Sequence, residues 1–205
     1  MARDFPDLQM VERGDQLVFS GVYPLIDNSR VVDRYHIEVL LPAGGPRDGI
    51  PVVRETASRI PRTSERHMNG DGGACLFVPE DFWYEHPQGM DLLSFLKGPV
   101  LAFFVGQSLV ERGKPWPYGT RPHGNPGIAD FYTEFLGTTD PVRIKACVKL
   151  LVAKKLPGHR SCPCGSGRPV RDCHFSTLQQ LRTRIPRHVF LETLRRLRSP
   201  QIAAK

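Results

Sequence analysis

Residues 35–41 read YHIEVLL, and this stretch indicates the fold class more clearly than any other. Apolar residues occupy every second position, Tyr35, Ile37, Val39 and Leu41, and alternate with His36, Glu38 and Leu40. Such an alternation is typical of a strand that buries one face. The turn sequence PAGGP at 42–46 ends this strand, and two more strands are predicted over 16–25 and 51–55. Three short strands joined by Gly/Pro turns predict an antiparallel meander.

Helical patterns account for most of the remaining chain. Helices are predicted over residues 4–13, 90–111, 127–136 and 140–155. The long second helix is expected to bend at Gly98-Pro99, because proline lacks the N–H that a helix interior needs. Residues 61–83 are predicted to form an ordered loop, and Pro186 separates two apolar segments near the C-terminal end. The fold class is therefore predicted as α+β, with helices flanking the meander.

The charges divide the 205 residues into an acidic and a basic part. Residues 1–140 contain 13 basic and 19 acidic side chains, whereas residues 141–205 contain 15 basic and two acidic ones. With a boundary at the Leu-Pro-Gly sequence 156–158, we predict a catalytic domain over 1–155 and a small basic module over 156–205. Such a tail suits nucleic acid or an acidic protein surface, and it equally suits the acidic domain of its own chain.

The sequence predicts a cytoplasmic protein with no membrane partner. The longest uninterrupted apolar run, residues 99–105, is far shorter than the roughly 20 residues of a membrane span. The first ten residues, MARDFPDLQM, lack the apolar core of a secretion signal. Five cysteines without such a signal argue against a disulfide framework.

Residues 162–174 read CPCGSGRPVRDCH and predict a metal site. They offer three thiols and one imidazole as ligands: Cys162, Cys164, Cys173 and His174. Zinc takes four ligands of these kinds in a tetrahedron, and the Gly-Ser-Gly sequence lets the chain fold back between them. Because so short a tail buries little apolar surface, a structural zinc ion, worth about 10–16 kcal/mol in comparable sites, is expected to stabilise it.

The spacing C-x-C-x8-C-H with Gly-Ser-Gly inside resembles the SEC-C motif, which is named after the C-terminus of the SecA translocation motor. The resemblance covers residues 161–174. It implies that these four side chains bind zinc and that the module docks onto proteins or nucleic acid.

Residues 67–76 read HMNGDGGACL and predict a nucleophilic cysteine at Cys75. A nucleophilic thiol needs access and a donor for the oxyanion that forms when it attacks a carbonyl. The glycines let the backbone come close to a bound carbonyl group. Asn69 offers a side-chain amide as the donor, and His67 can hold the shape of the loop through backbone hydrogen bonds.

The same residues carry a second resemblance. The pattern H-x-N, then glycines, then Cys75-Leu76, with Trp83 eight residues after the cysteine, resembles the active-site region of ubiquitin-conjugating enzymes. The resemblance covers roughly residues 17–155. It implies the UBC fold, in which a short helix precedes an antiparallel meander, the catalytic loop, a long central helix and C-terminal helices.

Two details point to a bacterial branch of that family. Residues 116–119, WPYG, together with His123-Gly124 look like a loop of bacterial members. The eukaryotic pattern has proline where this chain has Met68, and it has seven residues between asparagine and cysteine where this chain has five. Relatives of this kind occur in CBASS-type antiphage operons built around a cyclic-nucleotide synthase, which implies a role in antiviral defence.

The resemblance to ubiquitin-conjugating enzymes also implies a mechanism. An ATP-dependent activating enzyme would pass the C-terminus of a ubiquitin-like protein, or the ubiquitin-like tail of a cyclic-nucleotide synthase, to Cys75 as a thioester. A target amine would then attack this thioester. Four side chains are candidate acceptors for the proton of that amine: Asp81, Glu85, His86 and His123.

Two other functions are consistent with the sequence. One is a binding module that keeps the UBC fold, leaves Cys75 idle and recruits partners through the SEC-C tail. The other is a cysteine hydrolase in which His67 or His123 lowers the pKa of the Cys75 thiol. The chain has no Gly-rich phosphate loop of the Walker type, so ATP is not expected to bind to this chain itself.

Overall fold

The protein has an α+β fold with a four-stranded antiparallel sheet and six α-helices in the part that the computed structural model describes, residues 4–119, 121–122 and 124–197. The strands are β1 (Leu8–Arg13), β2 (Gln16–Asp27), β3 (Arg30–Leu40) and β4 (Val52–Glu55). The helices are α1 (Pro79–Glu85), α2 (Leu92–Glu111), α3 (Asn125–Leu136), α4 (Pro141–Val152), α5 (Phe175–Arg184) and α6 (Arg187–Arg196). The predicted class is therefore confirmed at this level.

The described residues form two compact units. Residues 4–76 and 88–119 make up the first unit, which contains the whole sheet and α2. Residues 77–87, 121–122 and 124–197 make up the second unit, which contains the other five helices. These units reflect packing, whereas the predicted division into domains 1–155 and 156–205 concerns function, and that division stays a prediction.

The sheet is a meander in the order β1-β2-β3-β4, and each strand pairs antiparallel with the next. The alternation that predicts the central strand is confirmed, because Tyr35, Ile37 and Val39 are buried and their neighbours along β3 are more exposed. The strands predicted over 16–25 and 51–55 are confirmed as β2 and β4.

The helix predicted over residues 4–13 is wrong, because part of this segment forms β1. Leu8 pairs with Gly21, and the Val22 N–H donates to the Asp7 carbonyl at 3.3 Å. Gly21 has a φ of 148°, and a Cβ atom built on it would overlap the Asp7 carbonyl oxygen. The close approach that glycine permits therefore attaches this segment to the sheet, and that tertiary pairing overrides the local helical pattern.

The helix α2 packs on the sheet through aromatic side chains. Phe104 is fully buried, with its ring centroid 4.5 Å from that of Tyr35 and 5.6 Å from that of Tyr23. The helix contains a π-helical turn at Leu96–Val100, where Pro99 supplies no N–H to the preceding turn. The Tyr23 hydroxyl donates to the Leu96 carbonyl at 2.6 Å. The irregularity thus occurs at the position where the sequence predicts a bend.

The second unit is an assembly of short helices. Asp140 accepts hydrogen bonds from the Val142 and Arg143 N–H groups at 2.8 and 3.4 Å, so it caps α4. Buried Glu80 of α1 accepts a short hydrogen bond from the Thr193 hydroxyl of α6. The helices predicted over 127–136 and 140–155 are confirmed as α3 and α4, and α5 and α6 lie on either side of Pro186. The loop predicted over 61–83 is wrong at its end, where α1 begins.

One described helix, α2, meets the length and composition criteria for a membrane span, with 20 residues and a mean hydropathy of 1.5. Of its apolar window, 44% is buried inside the protein, and core helices of soluble proteins meet the same criteria. The expectation that no apolar segment reaches this length does not hold for α2, because a helix accommodates isolated polar residues such as Lys97. The finding is consistent with a soluble protein and leaves the cytoplasmic location a prediction.

We predict that Gly21→Ala lowers the free energy of unfolding by about 2 kcal/mol or more, because the added methyl group must displace the Asp7 carbonyl. Urea unfolding followed by circular dichroism measures this change. Gly70→Ala is the matched control, since no heavy atom lies within 4 Å of its added Cβ position. Equal unfolding midpoints for the two variants would contradict the close approach of β1 to β2.

Candidate functional site

Cys75 lies at the end of a narrow hairpin, residues 67–75, which we call the Cys75 hairpin. The Cys75 N–H donates to the His67 carbonyl at 2.8 Å, and the Asn69 N–H donates to the Gly73 carbonyl at 2.8 Å. His67 is thus opposite Cys75, and Asn69 is opposite Gly73. The structure therefore brings the three predicted residues, His67, Asn69 and Cys75, into one hairpin.

The Cys75 hairpin is attached to the edge of the sheet. The Ala74 N–H donates to the Val53 carbonyl of β4 at 2.7 Å, and Gly73 forms an antiparallel bridge with Arg54. At the end of β4, the buried Glu55 carboxylate accepts the Ala57 and Arg59 N–H groups at 2.7 and 2.9 Å. Both ends of the connection from β4 to Cys75 are therefore hydrogen-bonded in place.

Helix α2 holds the start of the hairpin through a buried amide. The Gln107 side chain is fully buried, and it accepts a hydrogen bond from Arg66 Nε at 2.9 Å. Its own Nε2 donates to the Arg66 carbonyl at 2.6 Å. A buried amide that is satisfied in this way fixes the backbone next to it, since breaking either bond would leave a polar group unpaired.

A ring stack holds the next residue. His67 has left-handed backbone angles with a φ of 49°, and its ring stacks on Trp116 with centroids 4.1 Å apart at 20°. The Trp116 ring in turn lies against Gly106 of α2, where an added Cβ would come within 2.5 Å of a ring carbon. Trp116 thus packs between α2 and the Cys75 hairpin.

Cys75 is half-buried, and burial raises the pKa of its thiol above the ordinary value. The thiol is therefore protonated at neutral pH in the isolated chain. Asn69 is exposed, and its Nδ2 atom lies 3.5 Å from the position that a Cβ on Gly73 would take. Because residue 73 is a glycine, the Asn69 amide has room beside this part of the Cys75 hairpin.

The candidate proton acceptors belong to the second unit or lie outside the described residues. Asp81 of α1 pairs with Arg121 at 2.9 Å, and burial raises the pKa of Asp81 although Arg121 opposes the shift. Glu85 of α1 is exposed, and His86 ends that helix, where its N–H donates to the Phe82 carbonyl at 2.8 Å. His123 lies outside the described residues. The acceptor role of all four stays a prediction.

The four predicted metal ligands converge in the second unit. Their ligand atoms all lie within 4.8 Å of one another: Cys162, Cys164, Cys173 and His174. His174 Nδ1 lies 3.2 Å from the Cys173 sulfur and 3.4 Å from the Cys162 sulfur, and the sulfurs of Cys164 and Cys173 are 3.5 Å apart. Ligands bound to zinc at 2.0–2.3 Å are about 3.3–3.8 Å apart in a tetrahedron, so the cluster fits a metal ion of this kind.

The surroundings of the metal cluster lower the pKa of one thiol, Cys164, and raise that of another, Cys162. Desolvation opposes ionisation of Cys164, but hydrogen bonds from Ser166, Cys162 and Cys173 outweigh it and lower the pKa of Cys164 to about 6. Desolvation raises the pKa of Cys162 to about 12. Arg143 of α4 donates to the Cys164 carbonyl at 3.0 Å. Gly165 has a φ of 88°, and an added Cβ there would overlap the Arg143 guanidinium. Arg143 therefore ties the metal segment to α4, and Gly165 permits that contact.

Comparisons of the chain with protein-family models, with curated proteins and with solved structures give no match. Function is therefore inferred from the chemistry of the Cys75 hairpin and of the metal cluster.

We predict that Gly106→Ala lowers the free energy of unfolding by about 1–3 kcal/mol and speeds amide hydrogen exchange in the Cys75 hairpin, because the methyl group displaces Trp116 from His67. Gly98→Ala is the matched control in the same helix, since its added Cβ has open space. Chemical unfolding and hydrogen-exchange mass spectrometry test the pair. Unchanged exchange in the hairpin of Gly106→Ala would show that the stack does not hold it.

We predict that the full chain binds one metal ion at the cluster and that Cys164→Ser lowers the bound metal severalfold, because it removes one of four ligands. Elemental analysis after dialysis measures the metal content. Cys75→Ser is the matched control, because Cys75 does not belong to the cluster. The prediction fails if both variants retain the same metal content as the original chain.

Proposed function

We propose that this chain is a ubiquitin-conjugating-like enzyme that carries an activated C-terminus as a thioester on Cys75. One observation supports this proposal most directly: His67, Asn69 and Cys75 share a hairpin that α2 holds through Gln107 and Trp116. A carrier cysteine needs a fixed backbone and an amide donor for the oxyanion, and here both belong to one hairpin.

The proposed reaction consists of two acyl transfers. In the first, the Cys75 thiolate attacks the thioester carbonyl on the activating enzyme, a new C–S bond forms, and the thiolate of the activating enzyme leaves. In the second, a target amine attacks the Cys75 thioester, an amide bond forms, and the Cys75 thiolate leaves. Asn69 donates to the oxyanion in each step. The amine proton passes to one of the predicted acceptors, Asp81, Glu85, His86 or His123.

The pKa of Cys75 argues against the hydrolase alternative. A cysteine hydrolase needs a thiol whose pKa is lowered by a nearby base. Burial raises the pKa of Cys75, so a hydrolase would need a base that outweighs this effect. Of the two candidate bases, His67 stacks on Trp116, and His123 lies outside the described residues. A carrier can load at such a thiol when a docked partner supplies the base. The resting enzyme is then largely unreactive.

The same raised pKa favours a second candidate, a binding module in which Cys75 is idle. In that case the hairpin is a structural element, and partners are recruited through the tail. The two candidates differ in one measurable property, which is whether Cys75 forms a covalent adduct.

We further propose that the metal cluster is a SEC-C-like module that holds zinc. Three thiols and one imidazole are ligands that zinc prefers, and a closed set of four protein ligands is typical of a structural rather than a catalytic ion. The zinc would cross-link residues 162–174 through its four ligands. This cross-link would keep the basic tail folded.

The proposed partners follow from the mechanism. They are an ATP-dependent activating enzyme and a ubiquitin-like protein, or a cyclic-nucleotide synthase with a ubiquitin-like tail. The proposed setting is antiviral defence in the cytoplasm.

We predict that the chain, co-expressed with its genomic neighbours and purified without reductant, carries an added mass that thiols release. Cys75→Ala abolishes the adduct, and Cys75→Ser makes it resistant to thiols because an ester replaces the thioester. Intact-mass spectrometry measures both effects. Asn69→Ala is expected to slow transfer by about 10²-fold or more, as for a lost oxyanion donor.

The control for this experiment is Cys147→Ala, which removes a fully buried cysteine of α4 and should leave the adduct unchanged. An unmodified chain beside an activating enzyme that is shown to be active would favour the binding module.

A further inference from the structure

The loop that leaves α4, residues 153–160, exposes a concentrated positive charge. Lys154, Lys155 and Arg160 are exposed, and no described carboxylate lies within 4.0 Å of their charged nitrogens. His159 between them is also exposed. None of the large apolar side chains that are exposed in the described chain belongs to this loop. The loop therefore offers cations without an apolar anchor.

Three further arginines from distant parts of the chain attach to this loop. Arg182 of α5 donates to the Lys154 carbonyl at 3.4 Å, and Arg187 of α6 donates through two nitrogens to the Val152 carbonyl at 3.2 Å. The Arg171 backbone N–H donates to the Gly158 carbonyl at 2.9 Å, and the Arg171 Cβ lies 3.5 Å from the position of an added Cβ on Gly158. We call these six cations the basic surface: Lys154, Lys155, Arg160, Arg171, Arg182 and Arg187.

The contact of Arg187 caps the C-terminal end of α4, and that of Arg182 holds the loop after it, so both have a structural role. A guanidinium has five N–H donors, and each of these arginines uses only one or two of them on the carbonyls. The remaining donors are available to a ligand. Capping therefore fixes the positions of these charges without neutralising them.

Few acidic groups compensate this charge. Residues 141–205 contain only two carboxylate side chains, Asp172 and Glu192. Glu192 pairs with Arg195 and Arg196, which lie outside the basic surface, and Asp172 pairs with Arg171 at 3.4 Å. Five of the six cations thus face solvent or backbone without a described carboxylate partner, and a polyanionic ligand would replace the missing counter-charge.

From this arrangement we infer that the basic surface binds the phosphate backbone of nucleic acid. Four of its six cations are arginines, whose planar guanidinium groups match phosphate geometry with paired hydrogen bonds. Protein interfaces instead centre on buried aromatic or apolar anchors, and the loop exposes none. Binding of this kind is insensitive to base sequence, since it reads charge rather than base edges. It is independent of the chemistry proposed for Cys75.

The test uses the full, metal-loaded chain and a fluorescently labelled 20-nucleotide single strand of mixed sequence, with anisotropy measured across a salt series. The affinity is expected to fall steeply with salt, because each neutralised phosphate contributes a slope of about −0.7 in log K against log salt for a single strand. The triple variant Lys154→Gln, Lys155→Gln, Arg160→Gln should reduce that slope by about 2 and weaken binding at least about tenfold at physiological salt.

A charge-matched control separates the surface from net charge. The triple variant Arg30→Gln, Arg47→Gln, Lys114→Gln removes the same charge from exposed positions of the first unit and should bind as the original chain does. An equal loss of affinity in both triple variants would overturn the inference, as would the absence of binding at low salt. Tighter binding to poly-glutamate or to anionic phospholipid vesicles than to the oligonucleotide would overturn it in favour of an acidic protein or a membrane surface.

Discussion

The close approach of α2 to the chain at residues 66 and 67 is the contact on which the Cys75 hairpin depends. On one side of this helix, Phe104 packs between Tyr23 and Tyr35 of the sheet. Two residues further on, Gly106 leaves space for Trp116, and Gln107 binds the Arg66 backbone. The sheet fixes the helix, and the helix fixes the hairpin, because close-packed protein interiors transmit a displacement rather than absorb it.

The metal cluster has the corresponding role within the second unit. Residues 161–174 contain only a 3-10 turn at Val170–Asp172 and one isolated bridge between Ser161 and Pro169, so their regular hydrogen bonding is sparse. Four candidate ligand atoms converge within 4.8 Å, and a metal ion bound to them would supply the cross-link that regular structure does not. Arg143 then joins this segment to α4. A metal ion at this position would hold α5 in register with α4, since His174 is both a candidate ligand and the N-cap residue of α5.

The parts of the fold that were predictable are those that local sequence determines. The alternation in β3, the proline at the π-helical turn and the spacing of the metal ligands all act over a few residues, and the structure agrees with each of them. The helix predicted over 4–13 failed because Gly21, in another strand, provides a pairing edge. Gly106 and Gln107 had no sequence signal, since their roles depend on which residues α2 meets in three dimensions.

The raised pKa of Cys75 has different consequences for its free and its acylated form. Desolvation disfavours the thiolate, which is charged, but it does not disfavour a thioester, which is neutral. A thiolate of higher pKa is also a poorer leaving group, so the thioester resists water and stray amines. For the proposed carrier, burial would therefore slow unproductive loss of the acyl group. A docked target that orients its amine toward the thioester would restore the rate. On this reasoning, the half-burial of Cys75 suits a carrier better than a hydrolase.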